Sequence, residues 1–426
     1  MRVLLSAFGF SPYRGSEAAV GWNIARELAK LHDVTVITGA VRCGENDWLR
    51  YVAENGAVKG LTVEYVNPSI WVRLFDRIHR LPGCWAFYYL AYRLWQKQAY
   101  RRAKELTSEK PFDVVHQLNM IGYREPGYLW KLNVPFVWGP VGGSVNEPIR
   151  FMEIYSWSAR IKVIMRNVVN RLQMMMLLRP RFAARAARKC WAVTPDDVRM
   201  IIRWRGRADN VEQMIETGAN IEFWQGRGGH EYHKGDPLKI IWSGTHTYGK
   251  ALPILLYALA RLPDADIRVD ILGGGPETVS WKRLARTLGV EHLLVWHGKL
   301  PHDEALEVMN KAHVLAFPSL KEGTPHVVLE ALSLGLPVIC HNACGMGTVV
   351  TDQCGVKIPL KNPETSIAGF MEALRQFLAQ PERVGELSHG ALARAKELTW
   401  AAKAVEISRG YEEARCGQTR KQETLV

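Results

Sequence analysis

The 426-residue sequence predicts an α/β protein built from two parallel-sheet domains. Three observations carry this. Residues 3–8 form an apolar strand, residues 18–31 have helical periodicity, and residues 34–38 form a second strand. Strand, loop, helix and strand within forty residues make a βαβ unit, which requires a parallel sheet covered by helices. The same alternation restarts near residue 238. Between the two runs lies QGRGGHEYHKGDP (225–237), rich in Gly and polar groups, which reads as a linker.

The elements follow in order. The first domain, residues 1–225, adds strands at 114–116, 134–138 and 191–194, with a helix from about residue 195. The second, residues 236–396, has strands at 239–243, 267–272, 293–297, 314–317 and 337–340. Helices at 252–262, 279–288, 303–312 and 325–334 lie between them. Two consecutive Rossmann-like domains of this kind are expected to face each other across a cleft. Residues 397–416 read as an amphipathic helix returning to the first domain, and GQTRKQETLV (417–426) as disordered.

Composition narrows the class. A hydrophobic fraction of 47% supplies ample core and excludes a disordered or collagen-like chain. Seven Cys are too sparse, and odd in number, for a disulfide scaffold. The longest apolar run, CWAFYYLAY, stops at Arg93, short of a membrane span. The first residues lack the apolar core and small-residue cleavage site of a signal peptide. A reducing cytoplasm is therefore the expected location.

The formal charge of +13 calls for an acidic partner: nucleic acid, an anionic membrane or a phosphorylated substrate. Two segments concentrate it. Residues 69–105 hold eight basic and two acidic residues, and residues 150–189 hold ten basic and one acidic. Together they exceed the whole-chain excess. Aromatic and aliphatic residues interleave with the basic ones, a pattern shared by a solvated helix face and by a face laid on anionic lipid.

The strongest chemical signal is SLKEGTPHVVLEALSLGLPVI, residues 319–339. Glu322 and Glu330 are separated by seven residues, with a helix expected to start near Thr324 or Pro325. Glu322 then sits in the loop before the helix and Glu330 about two turns along it. The amides of Thr324, His326 and Val327 would be free to meet an anion. The loop follows strand 314–317 at its carboxyl end, where open α/β sheets bind ligands. Carboxylates on either side of a helix N-terminus suit a ligand with hydroxyls at both ends and phosphates between, the layout of a nucleotide sugar.

This E-x7-E followed by EALSLGLPVI resembles the signature of family 4 of the glycosyltransferases, retaining enzymes of the GT-B fold. SGTHTYGKALPILLYAL is similar to the family's Gly…Lys loop, with Gly244 six residues before Lys250. LGGGPE, VWHGKLPHDEALEVMNKAHVLAFPS and, in the first domain, RGSEAAVGW also fall in the family's order. DVVHQLNMIGYREPGYLWKLNVPFVWGPVGGS looks like a segment of polysaccharide-assembly members.

The resemblance implies roles. Glu330 would bind the ribose hydroxyls, Glu322 the transferred sugar, and Lys250 the diphosphate as it leaves. Gly244, Thr245, Gly323, Thr324, Gly15 and Ser16 would close around phosphate and sugar. It implies a nucleotide-diphosphate sugar donor and a glycan or lipid-diphosphate-linked saccharide acceptor. No metal or other cofactor is expected, since Lys250 and helix amides can replace it, and no nucleic-acid partner. Four positions depart from the family pattern. Thr245 stands where Arg is usual, Pro325 where Gly is, Thr348 where an acid is, and Leu118 where the catalytic His is. His116, two residues earlier, either takes that catalytic place or caps the sheet.

Other signals are weaker. Asp264 and Asp266 match a metal-binding Asp-x-Asp, but they precede a strand and read as a surface turn. Cys340, Cys344, Cys354 and His341 lack the paired spacing of a zinc site. A sugar-nucleotide epimerase on the same fold, or a basic nucleic-acid-binding protein, are the alternatives. The first is disfavoured by E-x7-E, the second by the lack of a binding motif.

Overall fold

A computed structural model describes residues 1–15, 17–39, 45–84, 86–221 and 229–423. In the first half, strands β1 (Arg2–Ala7), β2 (Asp33–Thr38), β3 (Leu61–Tyr65), β4 (Val114–Asn119), β5 (Phe136–Val141), β6 (Lys189–Ala192) and β7 (Val211–Gln213) appear in order. They are interspersed with helices α1 (Glu17–Ala29), α2 (Glu45–Asn55), α3 (Ile70–Ile78), α4 (Ala86–Glu109), α5 (Trp157–Met176), α6 (Leu178–Ala186) and α7 (Pro195–Arg205). The second half has β8 (Leu238–Ser243), α8 (Leu252–Ala260), β9 (Ile267–Leu272), α9 (Thr278–Thr287), β10 (Leu294–Gly298) and α10 (His302–Met309). It continues with β11 (Val314–Phe317), α11 (His326–Ser333), β12 (Val338–His341), α12 (Cys344–Val349), β13 (Gly355–Ile358), α13 (Pro363–Ala379), α14 (Glu382–Glu397) and α15 (Trp400–Glu423).

The chain divides into two compact units: residues 1–144, 173–216 and 400–426, and residues 145–172 with 217–399. Among the described residues, the first holds a parallel sheet in the order β3-β2-β1-β4-β5-β6-β7. Helices cover both faces, as strands buried on both sides require. On one face Val20, Ile24 and Leu28 of α1 pack with Ile407 and Tyr411 of α15. On the other, Tyr92 and Trp95 of α4 pack with Ala183 of α6 and Trp204 of α7. A Cβ on Gly21 of α1 would fall 2.2 Å from the Gly9 carbonyl, so glycine there lets the helix lie directly on the loop after β1.

The second unit holds a parallel sheet in the order β10-β9-β8-β11-β12-β13. Both sheets thus have the doubly wound α/β architecture read from the alternation of apolar runs.

Three boundaries differ from expectation. The first domain was expected to be continuous over 1–225, yet 145–172 group with the second unit. The reason is burial: Phe151, Met152, Tyr155 and Val163 enter the core formed by Leu252, Leu255, Phe370 and Phe377. Helix α15 runs on to Glu423, through much of the tail expected to be disordered, and from Trp400 it groups with the first unit. Helix α11 starts at His326, because Pro325 has ψ 89° and is not helical. Part of the expected linker, residues 225–228, lies outside the described residues. Among the described residues no helix is long and apolar enough to cross a membrane.

Candidate active site

In the second unit the chain leaves β8 through Gly244 and Thr245 and turns at Tyr248–Lys250 before α8. The Lys250 ammonium pairs with the Glu322 carboxylate and lies 5.1 Å from the centre of the Phe317 ring. Glu322 comes from the loop after β11, so the pair joins the carboxyl ends of two neighbouring strands. The Leu320 amide donates to the Gly249 carbonyl at 2.9 Å and locks the two loops together. The Ser319 hydroxyl lies 3.4 Å from both the Gly249 carbonyl and Glu322 Oε2. His341 fixes the start of this loop: buried, it donates Nδ1–H to the Ser319 carbonyl at 3.1 Å and accepts from Ser366 at 2.9 Å.

Gly244 lies beside the Lys250 stem, since a Cβ there would sit 3.7 Å from Lys250 Cδ. Thr245 is exposed and His246 is buried. His246 Nδ1 reaches Thr278 Oγ1 at 2.8 Å, and its ring packs among Trp242, Trp281 and Trp296. Burial lowers its pKa. His246 therefore braces the Gly-rich turn after β9 through Nδ1.

Gly323 is exposed and Thr324 buried. The Gly345 amide at the start of α12 donates to the Glu322 carbonyl at 3.0 Å. A Cβ on Gly345 would fall 1.8 Å from the Gly323 carbonyl, so this contact requires glycine. Cys344, before it, has φ +53°, a left-handed conformation usually left to glycine. Of the amides expected to be free, that of His326 is engaged, donating to the Thr324 carbonyl at 3.1 Å. The amide of Val327 has no backbone acceptor among the described residues. Glu330 is the fifth residue of α11, little more than one turn in, where the sequence suggested two. Its Oε1 accepts from His302 Nε2 of α10 at 3.0 Å, and this bond raises the His302 pKa.

Sequence reasoning missed Glu147. This buried carboxylate pairs with Arg166 and lies 3.8 Å from where a Cβ on Gly249 would be, one residue before Lys250. No motif surrounds it; its place follows only from residues 145–172 packing on this unit.

In the first unit Gly15 is exposed with open space around it, and Ser16 lies outside the described residues. Glu17 and Asn119, also missed from sequence, organise this loop. Asn119 accepts from the Gly9 amide at 3.3 Å and donates to the Gly9 carbonyl at 2.9 Å and the Glu17 carbonyl at 3.2 Å. The Glu17 carboxylate, at the start of α1, accepts from the Ile121 amide at 3.4 Å, and burial raises its pKa.

His116 does not occupy a catalytic place. It is fully buried in β4, its Nε2–H donates to the Gly139 carbonyl at 2.7 Å, and its Nδ1 accepts from the Tyr411 hydroxyl at 2.7 Å. Both ring nitrogens are used, and burial pushes the pKa down to about 4. His116 ties α15 to the sheet. Tyr411→Phe, which leaves Nδ1 without a donor, should cost about 1–3 kcal/mol of stability and leave kcat within about twofold; thermal melts and kinetics check both. Because the folded pKa lies below the usual 6.5, the neutral form is favoured in the fold and the unfolded chain binds more protons between these values. The stability from this histidine is full above about 6.5 and fades as pH falls toward about 4. A collapse of kcat in a folded Tyr411→Phe protein would return His116 to the reaction.

Two parallel-sheet α/β units of this kind are the architecture of the GT-B fold. Residues 230–391, in the second unit, match the family described as glycosyl transferases group 1. The chain is 29% identical over 255 residues to a D-inositol 3-phosphate glycosyltransferase of Streptomyces bingchenggensis, covering 55% of each chain. The chain thus spans about half the length of the curated relatives it matches. Its fold is similar to that of the lipopolysaccharide outer core galactosyltransferase WaaB in its apo form, with TM-score 0.65 at 14% identity over 98% of this chain and 100% of that one. It is also similar to Anabaena HepE in complex with UDP and glucose, with TM-score 0.54 at 14% identity over 96% and 98%.

Proposed function

We propose that the protein transfers a sugar from a nucleotide diphosphate donor to a hydroxyl of a glycan or lipid-diphosphate-linked saccharide, with retention of anomeric configuration. The observation that carries this is the Lys250–Glu322 pair at the strand ends, one short loop from Glu330 on α11. Lys250 meets the diphosphate, whose negative charge grows as the sugar bond breaks, so its attraction is greatest in the transition state. Glu322 holds hydroxyls of the transferred sugar and Glu330 those of the ribose. Gly244, Thr245, Gly323 and Thr324 line the phosphates. The exposed loop at Gly15 meets the acceptor, and the leaving phosphate takes the acceptor proton on the same face. No metal enters this reaction, since Lys250 and loop amides supply the positive charge. A UDP-bound structural relative supports a nucleotide diphosphate as the ligand class. The protein works in the cytoplasm, at the inner face of an anionic membrane that carries its acceptor.

A panel of UDP-, GDP- and ADP-sugars tests the reading. One nucleotide should raise Tm, by about 2.7 kcal/mol of added stability at a hundred times its Kd. The product from the matching sugar should keep the donor's anomeric configuration by NMR. No stabilisation by any member rejects the donor, and an inverted product rejects retention.

A further inference from the structure

Helix α5 has a continuous apolar stripe turned to solvent. Trp157 (74% exposed), Ile161, Ile164, Val168 (51%), Leu172 and Met175 (63%) recur every three or four residues along it. At about 100° per residue these six fall within about 80° of one another, on a line about 27 Å long. The opposite side is the packed one. Ala159 and Val163 are buried in the core of the second unit, and the Asn170 amide donates to Asn146 at 2.9 Å. Exposure of this stripe is therefore a property of how the helix is seated.

Charge is arranged around the stripe. Lys162 lies on one flank and Arg160 and Arg171 on the other, while the helix contains no acidic residue. Lys162 and Arg171 form no ion pair among the described residues. Arg160 donates to the Tyr155 and Glu153 carbonyls, so the apolar line is flanked by one cation without an ion pair on each side, Lys162 and Arg171. This complements a bilayer surface, where acyl chains take the apolar groups and anionic headgroups the cations. A protein partner would bury this stripe against its own apolar residues but would not require cations on both flanks.

The arginines that first suggest a membrane face are committed elsewhere. Arg179 pairs with Glu125 and stacks on Tyr128, Arg181 donates to the Met174 and Met175 carbonyls, and Arg185 to that of Trp204. In the other basic segment, Arg80, Arg93 and Arg102 are paired with Asp76, Glu125 and Glu64.

We propose that α5 lies in the interface of an anionic bilayer, with the stripe from Trp157 to Met175 entering the headgroup region and Lys162 and Arg171 contacting lipid phosphates. This rests on the membrane-side reading above and is independent of sugar transfer.

Sedimentation of the full chain with vesicles tests it. Binding should be strong to phosphatidylcholine vesicles containing about a third phosphatidylglycerol, weak to pure phosphatidylcholine, and reduced by salt. Ile164→Asp with Val168→Asp, and separately Lys162→Glu with Arg171→Glu, should each weaken anionic binding at least tenfold, given about fivefold for each basic residue removed. Both variants should melt with the wild type. Vesicle binding unchanged in both would overturn α5 as the contact. No binding of the wild type to either vesicle would overturn the membrane reading and leave the nucleotide-sugar panel unaffected. A concentration-dependent dimer abolished by Ile164→Asp with Val168→Asp would assign the stripe to a second copy and overturn the proposal as well.

Discussion

Replacing Lys250 with Ala should lower kcat by about 10²–10³-fold, the loss typical of one fixed charge aimed at a developing anion. The fold should survive, because both partners of the Lys250–Glu322 pair keep about a fifth of their side-chain surface in water, 23% and 21%. A pair so placed is partly screened and contributes little to stability. Under the proposed function its weight falls on the bound donor. Without the lysine, Glu322 faces a diphosphate with no cation between them, so donor KM should rise together with the fall in kcat. Adding Glu322→Gln removes the repulsion. The double variant should therefore recover donor KM relative to Lys250→Ala while kcat stays low, a non-additive outcome expected of groups in contact. Full activity in Lys250→Ala would reject the phosphate role. Strict additivity would show that Glu322 and the diphosphate do not meet.

What was legible in the sequence was local. A βαβ repeat announces itself through runs of apolar residues at strand and helix spacing, and E-x7-E carries its loop and helix within a dozen residues. The parts that were not legible depend on partners far along the chain. His116 looks like a candidate base until Tyr411, 295 residues away, is found on its Nδ1. Arg179 looks like a solvent-facing cation until Glu125 and Tyr128 are seen to hold it. Residues 145–172 carry a basic, apolar text that could pack on either unit. Only the burial of Phe151, Tyr155 and Val163 settles which, and with it the placement of Glu147 beside the Lys250 loop. The start of α11 fails for a smaller reason: Pro is tolerated in a first turn, but here Pro325 remains outside the helix and the His326 amide is turned inward.

Glu330→Ala separates structure from function in one variant. In the native chain Glu330 accepts from His302 and so raises the pKa of that imidazole. With a folded pKa above the usual 6.5, the ion pair contributes fully below that value and is lost as pH rises through the raised pKa. Removing the carboxylate should return the His302 titration toward its ordinary range, read by NMR on the empty protein. The second effect needs the donor. Hydrogen bonds from ribose hydroxyls to a carboxylate are worth about 1.5–3 kcal/mol, so donor KM should rise by about 10–150-fold. The ribose is remote from the bond that breaks, and its contacts hold ground state and transition state alike, so kcat should change much less than KM. Lys250→Ala has a different signature, a large loss in kcat together with a rise in donor KM. A variant in which the His302 titration moves but donor KM does not would leave the Glu330–His302 pair intact as structure and remove Glu330 from the donor site.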